Sequence, residues 1–308
     1  MIKREYSMIH IPMRIMKYTK WTSSWLTFAI LFLGSVHGKD QSVAATPFFA
    51  MNTCSPKEHL ALLKELGYAG YSWVPSGDMR AEGEGAHSRG LKMFAVYTSS
   101  FLNKDKLDGD QAALITSLKD SETVIWLTIR SDVFTRSDEA GDSVAVPALQ
   151  AMADHAASNN VRIALYPHTY FSDPQNHFWV ERIQDAVRLA KKVNRPNFGV
   201  TFNLCHCLMV GDEAKIPDLL ADAGKYLFLV TVNGADTGAG GTGWGRLIRP
   251  LDEGTLDLLP ILKKLRELGY SGPIGLQGFG VNASPADNLK RSWEAWRKFN
   301  GRMDEVCK

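Results

Sequence analysis

The sequence predicts an α/β protein, a (β/α)8 TIM barrel in a single domain. Three observations predict it. Strand-like and helix-like patterns alternate along the chain, the short apolar runs number eight, and nearly all of those runs are followed by a segment with helical spacing. The same units in a doubly wound parallel sheet are the alternative. Composition agrees with a large core: 45% of the 308 residues are apolar and the mean hydropathy is −0.15. With 35 Lys+Arg against 33 Asp+Glu there is no strong field of either sign, so neither nucleic acid nor an anionic membrane surface is expected as partner.

Residues 1–38 are read as a secretory signal peptide. Lys3, Arg4, Arg14, Lys17 and Lys20 precede the apolar run Trp25 to Leu33, which is too short to span a bilayer, and small residues follow at Gly34-Ser35 and Gly38. The domain reading is therefore 1–38 signal peptide and 39–308 barrel, about 270 residues against the ~250 typical of one barrel. The expected localisation is exported, periplasmic or secreted, with no stable membrane span after cleavage. Of the four cysteines, Cys205 and Cys207 are too close for an easy mutual bridge, and Cys54 and Cys307 are remote. Buried free thiols are the expectation. Alternation along an extended segment would also turn His206 away from Cys205 and Cys207, against a zinc site.

Pro47 to Asn52 reads as the first strand. Ser55-Pro56-Lys57-Glu58 is a capping box with Pro at the first helical position, opening a helix that Gly67 ends. Further strands are expected at 68–74, 91–97, 123–129 and 161–166, with helices at 110–118 and 146–158 and a Gly-rich, weak one after the second strand. In the second half a helix over 179–193 leads to a strand at 198–202, then a helix over 214–223, a strand at 226–232, a helix over 255–268, a strand at 273–276 and a last helix over 288–299. Long loops follow the second, fourth, fifth and seventh strands. In a barrel they crowd one mouth and make a deep polar pocket there.

Aligning the strands brings Trp73, Arg130, Tyr166-Pro167-His168, Asn203 with His206, Thr231 with Asn233, and Gln277 to their carboxyl ends. Amides and imidazoles suit sugar hydroxyls, and no carboxylate pair fit for glycoside hydrolysis stands among them.

The chain resembles the sugar phosphate isomerase/epimerase family, with its xylose-isomerase-like TIM barrel. Tyr166-Pro167-His168, Gly199 to Asn203 with His206, Asn233 with Asp236, and Gly269-Tyr270-Ser271-Gly272 leading to Gln277 carry the resemblance. It implies a divalent metal on a Glu, an Asp, a His and a Glu at the ends of strands five to eight. The matching positions here are Tyr166, Asn203, Asn233 or Thr231, and Gln277, so three anionic ligands are neutral. A divalent metal is disfavoured, because hard cations draw most of their binding from anionic oxygen. The cofactor stays open, including a metal held through His168, His206 and Asp236.

The expectation is an exported carbohydrate-active enzyme of sugar isomerase/epimerase type that moves a proton next to a sugar carbonyl, or a lyase on keto-sugars. His168 and His206 are the catalytic pair, and Arg130, Tyr166, Asn203, Asn233, Gln277 and Trp73 bind substrate, a small-molecule carbohydrate. The alternative is a non-catalytic sugar-binding barrel that has lost its metal site.

Overall fold

The computed structural model describes residues 46–52, 56–75, 77–109, 111–169 and 178–306. Within them eight parallel strands close into a barrel: β1 (Phe48–Met51), β2 (Gly70–Trp73), β3 (Lys92–Leu102), β4 (Val124–Arg130), β5 (Arg162–Leu165), β6 (Phe198–Asn203), β7 (Leu227–Val232) and β8 (Ile274–Gln277). Each strand pairs with its sequence neighbour, and β1 closes the ring on β8 in the register Phe48↔Ile274 to Met51↔Gln277. The two-residue strand Leu107–Asp108 runs antiparallel to the end of β3.

Two-residue alternation sorts the strand residues between two cores. Phe49, Met51, Trp126, Ala164 and Leu229 point inward and plug the barrel, while Phe48, Ala50, Ile125, Leu127 and Val230 pack outward under the helices. Gly275 on β8 is required by the plug. A Cβ there would stand 2.5 Å from the Phe49 ring, which is itself stacked on Phe94 at 4.9 Å. Outside the barrel, Phe48 lies flat on Trp296 of the last helix, with ring centroids 4.3 Å apart, and the Tyr68 hydroxyl donates to the Leu289 carbonyl in the same helix.

The helices are α1 (Pro56–Leu66), α2 (Met79–His87), α3 (Ala112–Ser117), α4 (Asp142–Ser158), α5 (Ile183–Val193), α6 (Leu204–Met209), α7 (Ile216–Ala223), α8 (Trp244–Leu247), α9 (Leu259–Glu267) and α10 (Pro285–Val306). The Gly-rich segment after β2 does form α2, held by the Asp78 side chain, which accepts from the amides of Arg80 and Ala81.

Three expectations are corrected. Trp179 was expected on a helix, but residues 178–180 run along β4: Phe178 bridges Arg130, and the Trp179 amide donates to the Ile129 carbonyl. The helix starts only at Ile183, where the Asp185 carboxylate accepts from the Arg182 amide. The helix expected over 255–268 is shortened to α9, because Thr255 Oγ1 accepts from the Thr237 amide and Asp257 caps Leu259. Residues 204–209 are helical, so the alternation that was to separate His206 from the two thiols does not apply. Residues 1–38, Cys54 and Cys307 lie outside the described residues. Among the described residues no helix is long and apolar enough to cross a membrane.

Candidate functional site at the barrel mouth

A cavity of about 230 Å³ opens at the carboxyl ends of the strands. Its floor is Tyr166, one residue past β5, whose ring is wedged between Tyr97 (centroids 5.1 Å), Trp126 (5.3 Å) and His206 (5.8 Å). The walls are Arg130, His168, Cys205, His206 and Gln277, and Val74, Phe178, Trp244, Ile248 and Phe279 make an apolar rim. The rings of His168 and His206 lie 4.1 Å apart, and His168 also rests on Phe178 at 4.1 Å.

The polar groups of the floor bind one another. Asn203 Nδ2 donates to the Tyr166 hydroxyl, and the Asn203 Oδ1 accepts from Cys205 Sγ at 3.0 Å. Gln277 Oε1 accepts from the Phe279 amide at 3.0 Å. The Thr169 amide donates to His206 Nδ1 at 3.3 Å, which places the ring proton on Nε2.

Burial lowers the His206 pKa to about 3. Burial also holds His168 well below the ordinary histidine value, helped by the neighbouring His206 and Arg130, and raises Tyr166 far above the usual phenol range. At neutral pH the cavity therefore presents two neutral imidazoles and a protonated phenol. Between pH 3 and the ordinary ~6.5, the unfolded chain binds protons that the folded chain refuses. Stability is thus complete above about pH 6.5 and is lost as the pH falls. The melting temperature is expected to drop from pH 7 to pH 4.5, and His168→Asn with His206→Asn should flatten that slope in thermal melts. A slope unchanged in the double variant would refute this assignment.

The residues at the barrel's metal-ligand positions do not fit a hard divalent ion. Tyr166, Asn203 and Gln277 offer no anionic oxygen, and the amides are engaged in the bonds just given. Asn233 turns its Nδ2 to the carbonyls of Gly234 and Leu247. Asp236 is paired with Arg246 at 2.9 Å and Arg249 at 3.1 Å. Among the described residues no three His, Cys, Asp or Glu side chains are grouped to hold a cation.

Of the residues singled out in the sequence, the fold brings Arg130, Tyr166, His168, His206 and Gln277 together on the cavity, with Asn203 directly behind Tyr166. Trp73 and Asn233 are not on the lining. Trp73 packs on the outer core, and it is Val74, one residue on, that meets the cavity. Asn233 braces the loop between β7 and α9. Sequence reading missed Asn52, Tyr97, Phe178, Trp244 and Phe279. Asn52 directly follows β1, so the strand-end rule could have found it. Tyr97 comes from the long β3, Trp244 from the one-turn α8, and Phe178 and Phe279 from segments without periodicity.

Fold and site define a class: a single α/β barrel with a small-molecule pocket at the carboxyl-terminal mouth. The xylose isomerase-like TIM barrel family matches residues 123–299, more than half of the chain, and the chain belongs to that family. An uncharacterised protein of Methanocaldococcus jannaschii is 24% identical over 98 residues. That match spans 32% of this chain and only 31% of the relative. Among solved structures, D-psicose 3-epimerase of Clostridium cellulolyticum H10, determined with D-tagatose, aligns at 16% identity with a TM-score of 0.62, over 83% of this chain and 98% of that one. A 3-keto-D-glucoside 4-epimerase of E. coli aligns at 15% identity and a TM-score of 0.58, over 82% and 99%. A family 2 AP endonuclease of Brucella melitensis aligns at 18% and 0.60, over 79% and 96%. Identities this low establish the shared fold alone.

Proposed function

We propose that the protein is a carbohydrate-active enzyme of isomerase/epimerase type that transfers a proton next to a sugar carbonyl without using a divalent metal. The observation that carries this reading is the pair of neutral histidines in ring contact within a cavity whose lining, among the described residues, holds no carboxylate. Neutral His168 accepts the proton from the carbon. His206 offers Nε2–H as an uncharged donor, and with the Tyr166 hydroxyl and the Gln277 amide it stabilises the oxyanion that forms. Elimination from a keto-sugar would begin with the same abstraction. The fold's likeness to sugar epimerases supports a small carbohydrate as substrate. The basic, apolar leader supports export, and with it a free or oxidised sugar such as a keto-glycoside.

The test is solvent deuterium exchange, followed by NMR, into free sugars and 3-keto-glycosides. His168→Ala is expected to lower the exchange rate by about 10²–10⁴-fold. A rate unchanged in a His168→Ala, His206→Ala double variant would remove both roles. The mutually bonded floor of Tyr166, Asn203 and Gln277 favours a second reading, a sugar-binding barrel that performs no reaction. Calorimetric binding with no exchange on long incubation would establish that reading instead.

A further inference from the structure

Arg130 differs from six other arginines of the barrel. Arg136, Arg182, Arg188, Arg195, Arg246 and Arg249 each meet a carboxylate within 3.1 Å. Among the described residues Arg130 has no such partner, and its Nε is buried without a hydrogen bond. Among the described residues it is also the single charged side chain on the cavity. Its guanidinium carbon stands 4.7 Å from the centre of the Phe178 ring, which positions it against the same ring that supports His168. A cation held this way costs stability unless something anionic completes it. Nothing described in the protein does.

We infer that the substrate is a monocarboxylated sugar, whose carboxylate is held by Arg130 and whose reacting carbon is thereby carried beside His168. The inference rests on the carbohydrate reading above and narrows it. The planar guanidinium matches a carboxylate in both charge and fork geometry. A phosphate ester fits less well. It brings about −1.5 to −2 charges at pH 7, and among the described residues no second cation lines the cavity to meet them. Binding would also activate the base. Arg130 is one of the groups that weaken the proton affinity of His168, and a carboxylate on Arg130 offsets that influence only while substrate is bound.

The experiment is calorimetric titration of the full chain with matched probes: D-glucuronate against D-glucose, D-galacturonate against D-galactose, D-gluconate against D-sorbitol, and D-glucose 6-phosphate. At least one acid is expected to bind about ten-fold or more tightly than its neutral partner, the range of a charge-assisted hydrogen bond. In Arg130→Met that ratio should fall to about one, and in Arg130→Lys it should be partly kept, which guards against misreading a misfolded variant. Equal binding of acid and neutral sugar, a preference that persists in Arg130→Met, or tighter binding of the phosphate ester would each overturn the inference. Binding of neutral sugars without acid preference leaves the carbohydrate reading standing. If no probe binds at all, both fall.

Discussion

Replacing Asn203 by Asp together with Gln277 by Glu is expected to lower the stability of the metal-free protein by about 2–3 kcal/mol and to make it responsive to Mn²⁺. Both side chains are nearly fully buried, at 4% and 3% exposure. The oxygens that accept from Cys205 and from the Phe279 amide survive the change, and the Tyr166 hydroxyl can turn to donate to Asp in place of accepting from Asn. Shape is therefore kept, and the cost comes from two ionisable groups placed side by side out of water. Mn²⁺ that binds only the folded state returns about 2.7 kcal/mol at a hundred times its dissociation constant. Adding Tyr166→Glu supplies a third anionic oxygen but empties the space of the ring, so it costs more when metal-free. Thermal melts with and without Mn²⁺ on the parent, the double and the triple variant decide the matter. If the parent gains as much from Mn²⁺ as the variants, the amides suffice as ligands and the donor argument is wrong.

Arg188→Met should destabilise the protein by about 2–3 kcal/mol, because it takes the cation from buried Asp185 and leaves buried Asp142 with Lys192 alone, at 2.7 Å. Arg188 on α5 binds Asp142 at the start of α4 at 3.0 Å and Asp185 at 2.8 Å, and both acids are almost fully enclosed. Urea unfolding measures the loss. Adding Asp185→Asn should recover most of it, whereas equal stability of parent and Arg188→Met would show that the cluster contributes nothing. The effect should reach the site as well. Asp185 accepts from Ser137 Oγ and from the Arg182 amide, neighbouring Glu181 accepts from Arg136 and from Thr169 Oγ1, and the Thr169 amide holds His206. Faster hydrogen exchange at the Thr169 amide in the variant is the corresponding readout.

The barrel was legible because parallel strands buried on both faces, such as Phe198 to Phe202, read as short apolar runs with Pro and Gly between them. Residues that end such strands were legible for the same reason, and Arg130, His168, His206 and Gln277 all meet in space. Trp73 was misplaced because a shift of one residue exchanges the two faces of a strand: Trp73 shares the outer face of β2 with Tyr71, and Val74, one residue on, reaches the cavity. Asn233 could not be separated from a ligand by its type alone, since an amide that braces two carbonyls and one that binds a sugar look the same in sequence. Phe178 and Phe279 stand in loops and Trp244 on the one-turn α8, where position is set by tertiary contacts that no local pattern encodes. The short α6 was unexpected because Leu204 to Met209 is only six residues long and, His206 apart, apolar, too short to show a helical period.

The stack of Phe48 on Trp296 has a consequence for how the chain is made. β1 is synthesised first among the strands, yet its closing partner β8 and the helix that covers its outer face come last; the Tyr68–Leu289 bond alone joins residues 221 apart. At about 5–20 residues per second, the ribosome delivers that partner roughly 10–45 s after the first strand has emerged. Through that interval β1 lacks one of its two strand partners; β8 then closes the ring, and α10 covers Phe48 with Trp296. Completion of the fold thus waits for β8 and α10.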